Sequence, residues 1–513
     1  MWFNATVTSS RWRVAGTAVV LTLSVRLCYI VIRFSTGSGA VKRPHIESAA
    51  LLLAIAGLIL RFTSDTPGSA VSSARPRAML WLAFLAGALL LYWPAVHVGL
   101  LSDDFILIQH ASVWDMRQVA PQLFRPLPIF VWAVVVHLGC GPVTLHVVNI
   151  LLHATNAWLA AQIVAGWVPG RFYAIAAGLL VLVAPLGPEA VAWCAGAFDL
   201  FAAAAMMSAV LVSRSPPTLR NRIQLIGLTL AALLSKETAV VLPMLILLDG
   251  CVRRSLARRA IIDLGLVTAT VAIFAVIRLQ LATGVVSAAI SRYRIQRLVF
   301  DSFGTLGAPW QASDQWLTRV RAVYALCVIG VIAAFFVNRG ARWASAAVLA
   351  GAGWVLASIL PLLAFFSVGP QLEGARYLYL AACGWAAVLV TAAADLAGRG
   401  PRVTAITRGV LVVLIGAGAW GVHSHLLPWT DAAAVRDNVL RTAAADERLR
   451  GCPVAYVDGL PDSVGGAHLF ANGAREALAD VGVTAFAYAG TGDCAFRWDS
   501  AAERFERTTG SER

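Results

Sequence analysis

Residues 78–98 read AMLWLAFLAGALLLYWPAVHV, a run with no acidic residue and no Lys or Arg. An α-helix rises about 1.5 Å per residue, so about 20 apolar residues cross the roughly 30 Å hydrocarbon layer of a bilayer. Residues 343–367, WASAAVLAGAGWVLASILPLLAFFS, meet the same condition, and similar runs recur along most of the chain. With 59% hydrophobic and 13% charged residues, the chain cannot be mostly exposed to water. The formal charge of +14 would suit a nucleic-acid binder, but the arginines fall in short connections between apolar runs, which is how cytoplasmic loops are marked. The charge therefore reports topology, and no nucleic-acid partner is expected.

The apolar runs and the placement of Arg75, Arg77, Arg171, Arg214, Arg253, Arg339 and Arg402 predict a mainly α, polytopic helix bundle of about thirteen spans. Residues 1–77 form an N-terminal hairpin of two spans, at 14–33 and 46–62. Arg26 interrupts the first of these and no A-x-A cleavage site clearly follows, so it reads as a span rather than a signal peptide. Residues 78–427 form the core, and residues 428–513 a small extracytoplasmic α/β domain. The stretch 222–250 has basic connections at both ends, so it crosses twice, as 222–235 and 237–250, with an outward turn at Ser235, Lys236 and Glu237. Residues 126–140 are too short to span and suit a helix lying in the interface. The loop 285–319, with Arg292, Arg294 and Arg297, is expected to lie over the outer surface against lipid head groups or substrate.

With this topology the polar clusters gather on one side of the membrane. Asp103 and Asp104 follow the third span; they read either as a solvated helix cap or as a general base with a neighbour that raises its proton affinity. His146, Asn149 and His153 share one helix face, as interhelical hydrogen bonds or as the wall of a wet cavity. Glu189 opens the span 189–213, and Asp199 lies about three turns into it. An acid at that depth costs roughly 2.5 to 3.5 kcal/mol and needs a polar partner. Lys236 and Glu237 pair as an inert turn, or Lys236 binds a lipid phosphate. Arg376 snorkels at the outer mouth of a span or binds phosphate, and Arg125 stands just before the interfacial helix. No H-E-x-x-H or Cys/His ligand spacing appears, so no zinc site is expected. In the tail, PVAYVDG at 453–459 and VTAFAYAG at 483–490 read as strands around a helical REALADVG. Cys452 and Cys494 are expected to form a disulfide there, since an outward domain sits in an oxidising compartment.

Six segments, taken in order, resemble the GT-C superfamily of membrane glycosyltransferases, and most closely the transmembrane core of the tetratricopeptide-containing and other protein O-mannosyltransferases. They are DDF at 103–105, FRPL at 124–127, HVVNILLHATN at 146–156, PEAVAWCAGAFDL at 188–200, LLSKETAVVLP at 233–243 and ARYLYLAACG at 375–384. The resemblance implies an inverting transfer of a sugar, by the same token mannose, from a polyprenyl-phosphate donor to a hydroxyl of a protein, an extracytoplasmic glycan or a glycolipid. It implies Asp103 as base with Asp104 beside it, and a plasma-membrane protein whose site faces outward. It also implies Arg125, Lys236 and Arg376 as donor-phosphate residues, and no metal or other cofactor; His146, Asn149, Glu189 and Glu237, read from their own positions, are further candidates for substrate binding. The chain departs from the pattern in three places. Ala375 stands where an acid usually precedes the Arg-Tyr pair, with Glu373 nearby; two extra spans precede the acidic loop; and the tail has no tetratricopeptide repeats. A lipid-linked-sugar flippase or a non-catalytic complex subunit would also place charges in a membrane cavity, but broken helices at matching positions of two halves are not found.

Overall fold

The computed structural model describes residues 74–118, 123–255, 258–281, 292–310, 315–338, 340–362, 368–486 and 494–507. The two N-terminal spans lie outside the described residues, as do parts of the 285–319 loop. Among the described residues, eight helices are long and apolar enough to cross a membrane, and two shorter apolar helices accompany them. The protein is a multi-pass membrane protein.

The helices are α1 (Ala74–Tyr92), α2 (Asp103–Ser112), α3 (Pro126–His137), α4 (Pro142–Ala165), α5 (Arg171–Leu182), α6 (Gly187–Ala192), α7 (Ala197–Val212) and α8 (Leu219–Leu233). They continue as α9 (Leu242–Val252), α10 (Arg258–Leu281), α11 (Arg292–Gly307), α12 (Gln315–Val337), α13 (Arg342–Ile359), α14 (Tyr379–Ala397) and α15 (Pro401–Ala445). α4 is central, packing against α1, α5 and α7. α13 and α14 approach closely because glycines face each other: a Cβ on Gly384 would meet the Gly351 carbonyl oxygen at 2.7 Å. Small residues at the contact are how apolar helices gain dispersion energy where no hydrophobic drive exists between them. α11, in the expected surface segment, buries Leu298 and Leu306 against Val355, Ile359 and Leu378, and presents Arg297 and Asp301 outward as an i, i+4 pair.

Three expectations about element boundaries change. The span expected at 189–213 is broken: α6 ends at Ala192, a 3₁₀ turn covers Cys194–Gly196, and α7 begins at Ala197. A Cβ on Gly196 would lie 2.1 Å from the Ala190 carbonyl oxygen, so only glycine lets the chain fold back on itself here. Asp199 is therefore in the first turn of a helix, not three turns into one. The two short helices expected around Lys236 are present as α8 and α9, joined by a 3₁₀ segment at Glu237–Val241. Finally, the boundary at 427/428 falls inside α15, which runs unbroken through Pro428. At about 1.5 Å per residue its 45 residues extend about 67 Å, more than twice the hydrocarbon thickness, so a long section stands outside the bilayer. Trp429, Ala432, Ala433 and Arg436 are buried on that section, and this packing carries the helix past the proline.

The tail that follows contains a four-stranded sheet of order β4-β1-β5-β6, built from β1 (Ala455–Asp458), β4 (Ala485–Phe486), β5 (Ala495–Asp499) and β6 (Arg504–Arg507). β1 pairs in parallel with β4 and β5, and β5 in antiparallel with β6. A hairpin of β2 (Ser463–Val464) and β3 (Ala467–His468) and a short helix α17 (Ala474–Ala479) lie between them, and α16 (Glu447–Arg450) precedes them. Cys452 and Cys494 are disulfide-bonded, joining the chain just before β1 to the chain just before β5.

Candidate functional site

The acid pair begins α2, and the backbone leading to it is held at successive groups. Arg436, from the outer section of α15, donates to the carbonyls of Val98 at 2.6 Å and Leu100 at 2.8 Å. His146 Nε2 donates to the Gly99 carbonyl at 3.0 Å, and Trp193 Nε1 to that of Leu101 at 3.0 Å. The Ser102 N–H donates to the Leu469 carbonyl at 2.8 Å. Ser102 itself has a φ of 50°, a left-handed conformation that serine rarely adopts and that the surrounding contacts impose.

The two acids differ in what their oxygens do. Asp104 is fully buried; it accepts from the N–H of Leu101 at 3.0 Å and of Ala195 at 2.9 Å. Burial pushes its proton affinity well above the usual carboxylate range, against the pull of those N–H groups. Its role is to tie the acidic loop to the broken segment between α6 and α7. Asp103 is half-buried, and its Oδ1 accepts from Asn472 Nδ2 at 2.7 Å. Of the pair, Asp103 presents the accessible carboxylate.

A second cluster lies beside this loop. Arg376 stands over the Trp193 ring at 4.2 Å and over Tyr377 at 5.1 Å. Lys236 is buried, bonds Asp199 and stands 4.6 Å over the other ring contact it shares with Arg376, Tyr377. Arg125 and Arg376 are both within electrostatic reach of Lys236. Each cation has an acid: Arg125 is bonded to Glu237, its Nε at 2.8 Å; Lys236 to Asp199; and Arg376 Nε lies 3.6 Å from Glu189. Lys236 and Glu237 thus pair across the cluster rather than with each other, and the partner that Asp199 needed is Lys236. Glu189 also accepts from the N–H groups of Gly374 and Arg376, and lies 3.5 Å from His468 Nε2. Its burial raises proton affinity, but His468 and Arg376 outweigh this and hold the carboxyl below its ordinary value. Glu373, the acid near Ala375, instead accepts from the Gln371 N–H; the acid beside Arg376 comes from α6. A small cleft, with room for about one water molecule, lies between Asp199, Lys236, Ser358, Tyr377 and Tyr379.

His146, Asn149 and His153 stand behind the site. Asn149 Nδ2 donates to the carbonyls of Trp193 at 2.9 Å and Cys194 at 3.3 Å, groups that the helix break releases. His153 Nε2 donates to the Leu182 carbonyl and its Nδ1 accepts from the Tyr379 hydroxyl. The stripe supplies the broken segment and the acidic loop with hydrogen bonds, so His146 and Asn149 support the site from behind. Sequence reasoning missed Trp193, Arg436, His468 and Asn472. Trp193 lies within a quoted motif, but the other three lie beyond 427 and are joined to the site only by the fold. Among the described residues, no three His, Cys, Asp or Glu side chains converge as a metal-binding group.

Fold and site define a multi-pass membrane protein in which an acid-bearing loop and three paired cations meet at one end of the bundle, under a tail domain. The chain is 38% identical over 105 residues to the protein O-mannosyl-transferase Tmtc1 of Drosophila melanogaster, a match spanning 20% of this chain and 12% of that relative. By name that relative belongs to the kind of enzyme that the motifs resemble. The chain also aligns with the crystal structure of ArnT from Cupriavidus metallidurans bound to undecaprenyl phosphate, at 13% identity and a TM-score of 0.35, covering 82% of this chain and 87% of that one. No family model matches the chain.

Proposed function

We propose that the protein is an inverting, metal-independent glycosyltransferase of the GT-C type that moves a sugar from a polyprenyl-phosphate donor to an acceptor hydroxyl. The reading rests most on one observation: Arg125, Lys236 and Arg376, from three separate segments, gather beside a rigidly held loop whose Asp103 is accessible. Asp103 takes the acceptor proton as the acceptor oxygen bonds to the anomeric carbon. The bond from that carbon to the phosphate oxygen breaks, and the polyprenyl phosphate leaves. Charge develops on the departing phosphate, which is where prearranged cations lower a barrier. Arg376 is the cation best placed to receive it. Its Nε has no hydrogen bond among the described residues, and its Nη2 makes one long bond of 3.5 Å to Tyr377. The partial match to an O-mannosyl-transferase supports mannose as the sugar and a protein hydroxyl as the acceptor; the site faces the extracytoplasmic side of the plasma membrane.

The test is transfer from a panel of labelled polyprenyl-phosphate sugars into endogenous acceptors, using membranes with wild type or Asp103→Asn at matched expression. Label transfer that needs Asp103 is the expected result. Equal transfer by the variant would remove Asp103 as base, and transfer from no donor would leave a lipid-linked-sugar transporter as the better reading.

A further inference from the structure

Residues 469–474 of the tail read LFANGA, with an Asn-Gly pair of the kind that turns a chain through a left-handed residue. Gly473 has a φ of +73°, and a Cβ there would lie 2.3 Å from the Ser102 carbonyl oxygen, so only glycine lets the tail approach the acidic loop this closely. Two backbone N–H groups hold the approach. That of Ser102 donates to the Leu469 carbonyl at 2.8 Å, and that of Asn472 to Ser102 Oγ at 3.2 Å. Leu469 and Phe470 are buried, and their N–H groups donate to the carbonyls of Asp462 and Pro461, which fixes the segment within the tail.

This seating places Asn472 Nδ2 2.7 Å from Asp103 Oδ1, across 369 residues of sequence. An ionised carboxylate only accepts, so the amide turns its NH2 edge toward it. Asp103 makes no other hydrogen bond among the described residues, and Oδ2 is left to face an acceptor hydroxyl. A base removes a proton in the transition state only when its lone pair points at that proton, and a third group commonly orients it. A carboxylate at an exposed face turns about its own side-chain bonds. One charge-assisted bond from an amide that is itself anchored takes that freedom away. The bond lies where water competes for both partners, so it adds little to stability.

We infer that Asn472 is a positioning residue for the transfer: it holds one oxygen of Asp103 so that the other meets the acceptor hydroxyl. The assignment rests on the reading of Asp103 as base, and it makes the tail a working part of the reacting end of the bundle.

The experiment measures kcat, donor KM and thermal unfolding for the full chain as Asn472→Ala, Asn472→Asp, Asp103→Asn and the double variant Asp103→Asn with Asn472→Ala. Asn472→Ala is expected to lower kcat about tenfold to a hundredfold, the scale of a misplaced reacting group. Donor KM should hold, because Arg125, Lys236 and Arg376 are untouched, and so should the unfolding temperature. Asn472→Asp, which keeps the shape but exchanges the donor for an acceptor, should lose at least as much. In the Asp103→Asn background Asn472→Ala should cost nothing further, because the base that it orients is gone.

A loss of the same factor in both backgrounds would overturn the inference, since Asn472 would then act independently of Asp103. A drop in unfolding temperature that accounts for the lost transfer would overturn it too, and would make the contact a structural one. Wild-type kcat in Asn472→Ala, with transfer lost in Asp103→Asn, would remove the positioning role and leave the proposed function standing. Full transfer by Asp103→Asn, or none by wild type from any donor, would remove the base and with it the role of Asn472.

Discussion

Two buried arginine–carboxylate pairs lie at opposite ends of α4 and α7, and they differ in how completely their donors are used. At the end away from the acidic loop, Arg214 Nε donates to Asp249 at 3.1 Å, Nη1 to the Gln162 carbonyl at 3.1 Å and Nη2 to that of Ile163 at 2.9 Å. Asp249 also accepts from Trp167 Nε1 at 2.7 Å, and a Cβ on Gly166 would meet the guanidinium at 2.8 Å. Nothing further fits there. At the other end Arg376 has one bond of 3.5 Å, a carboxylate 3.6 Å from its Nε, and aromatic faces around it. Each is an arginine with a carboxylate, so the charges alone cannot separate a brace from a receptor for an anion. The count of unused donors does, because a charged group that the fold already satisfies gains little from a ligand.

The largest effect expected belongs to neither pair. Asp103→Asn should lower transfer by about 10²- to 10⁴-fold, the range for loss of a general base. Its unfolding temperature should stay close to wild type, since the carboxylate is half-buried and makes one hydrogen bond to Asn472. The next effect is on stability alone. Arg214→Ala leaves Asp249 buried at 2% exposure without its main partner and should cost about 3–5 kcal/mol. Thermal unfolding in detergent reads this directly, and transfer per folded molecule should hold. A variant that stayed stable but lost transfer would place the reactive end of the bundle at Arg214 and break the comparison.

How much of this was legible in the sequence follows the range of each interaction. The apolar runs mark helices because lipid leaves backbone groups no other partner, a rule that acts within one segment. The two short helices around Lys236 were legible from the basic connections on both sides of the stretch, which called for a turn in its middle. Arg125, Glu189, Lys236, Glu237 and Arg376 were legible as site candidates because a charge within an apolar stretch calls for a purpose. Which charges pair was not, since Lys236 with Asp199 and Glu237 with Arg125 join distant segments. The break at Trp193–Gly196 has no strong local signal: its cause is Gly196 packed on Ala190 and Asn149 reaching in from α4. Arg436 was lost because the composition changes after 427, so the residues beyond it were assigned to a separate domain; in the structure their burial carries α15 outward.

The comparison sharpens at Arg376 with a substitution that keeps the charge. Arg376→Lys retains a cation near Glu189 but loses the planar group over Trp193 and the capacity to hold two phosphate oxygens at once. Transfer efficiency, kcat/KM, should fall about tenfold, equivalent to about 1.4 kcal/mol. The unfolding temperature should change less than for Arg214→Ala. Equal losses of stability at the two sites would show that Arg376 is a brace as well.

The smallest effect is one of pH. Folding holds the Glu189 carboxyl below the ordinary glutamate value of 4.5, because His468 and Arg376 outweigh the opposing effect of burial. A group whose proton affinity falls on folding stabilises the protein above its unfolded value and loses that contribution as pH drops through the folded one. Glu189→Gln cannot ionise, so wild type should exceed it in unfolding temperature at neutral pH, and the two should converge as the medium is acidified below 4.5. The same substitution leaves the Arg376 guanidinium without its acid. If the cluster receives an anion, Glu189→Gln should bind inorganic phosphate more tightly than wild type at pH 7, whereas no added anion should gain affinity from a change at the saturated Arg214 end. Parallel unfolding curves across the whole acid range, with phosphate binding unaltered, would mean that Glu189 governs neither the charge nor the receptivity of Arg376. The contrast between the two ends would then have to rest on shape alone.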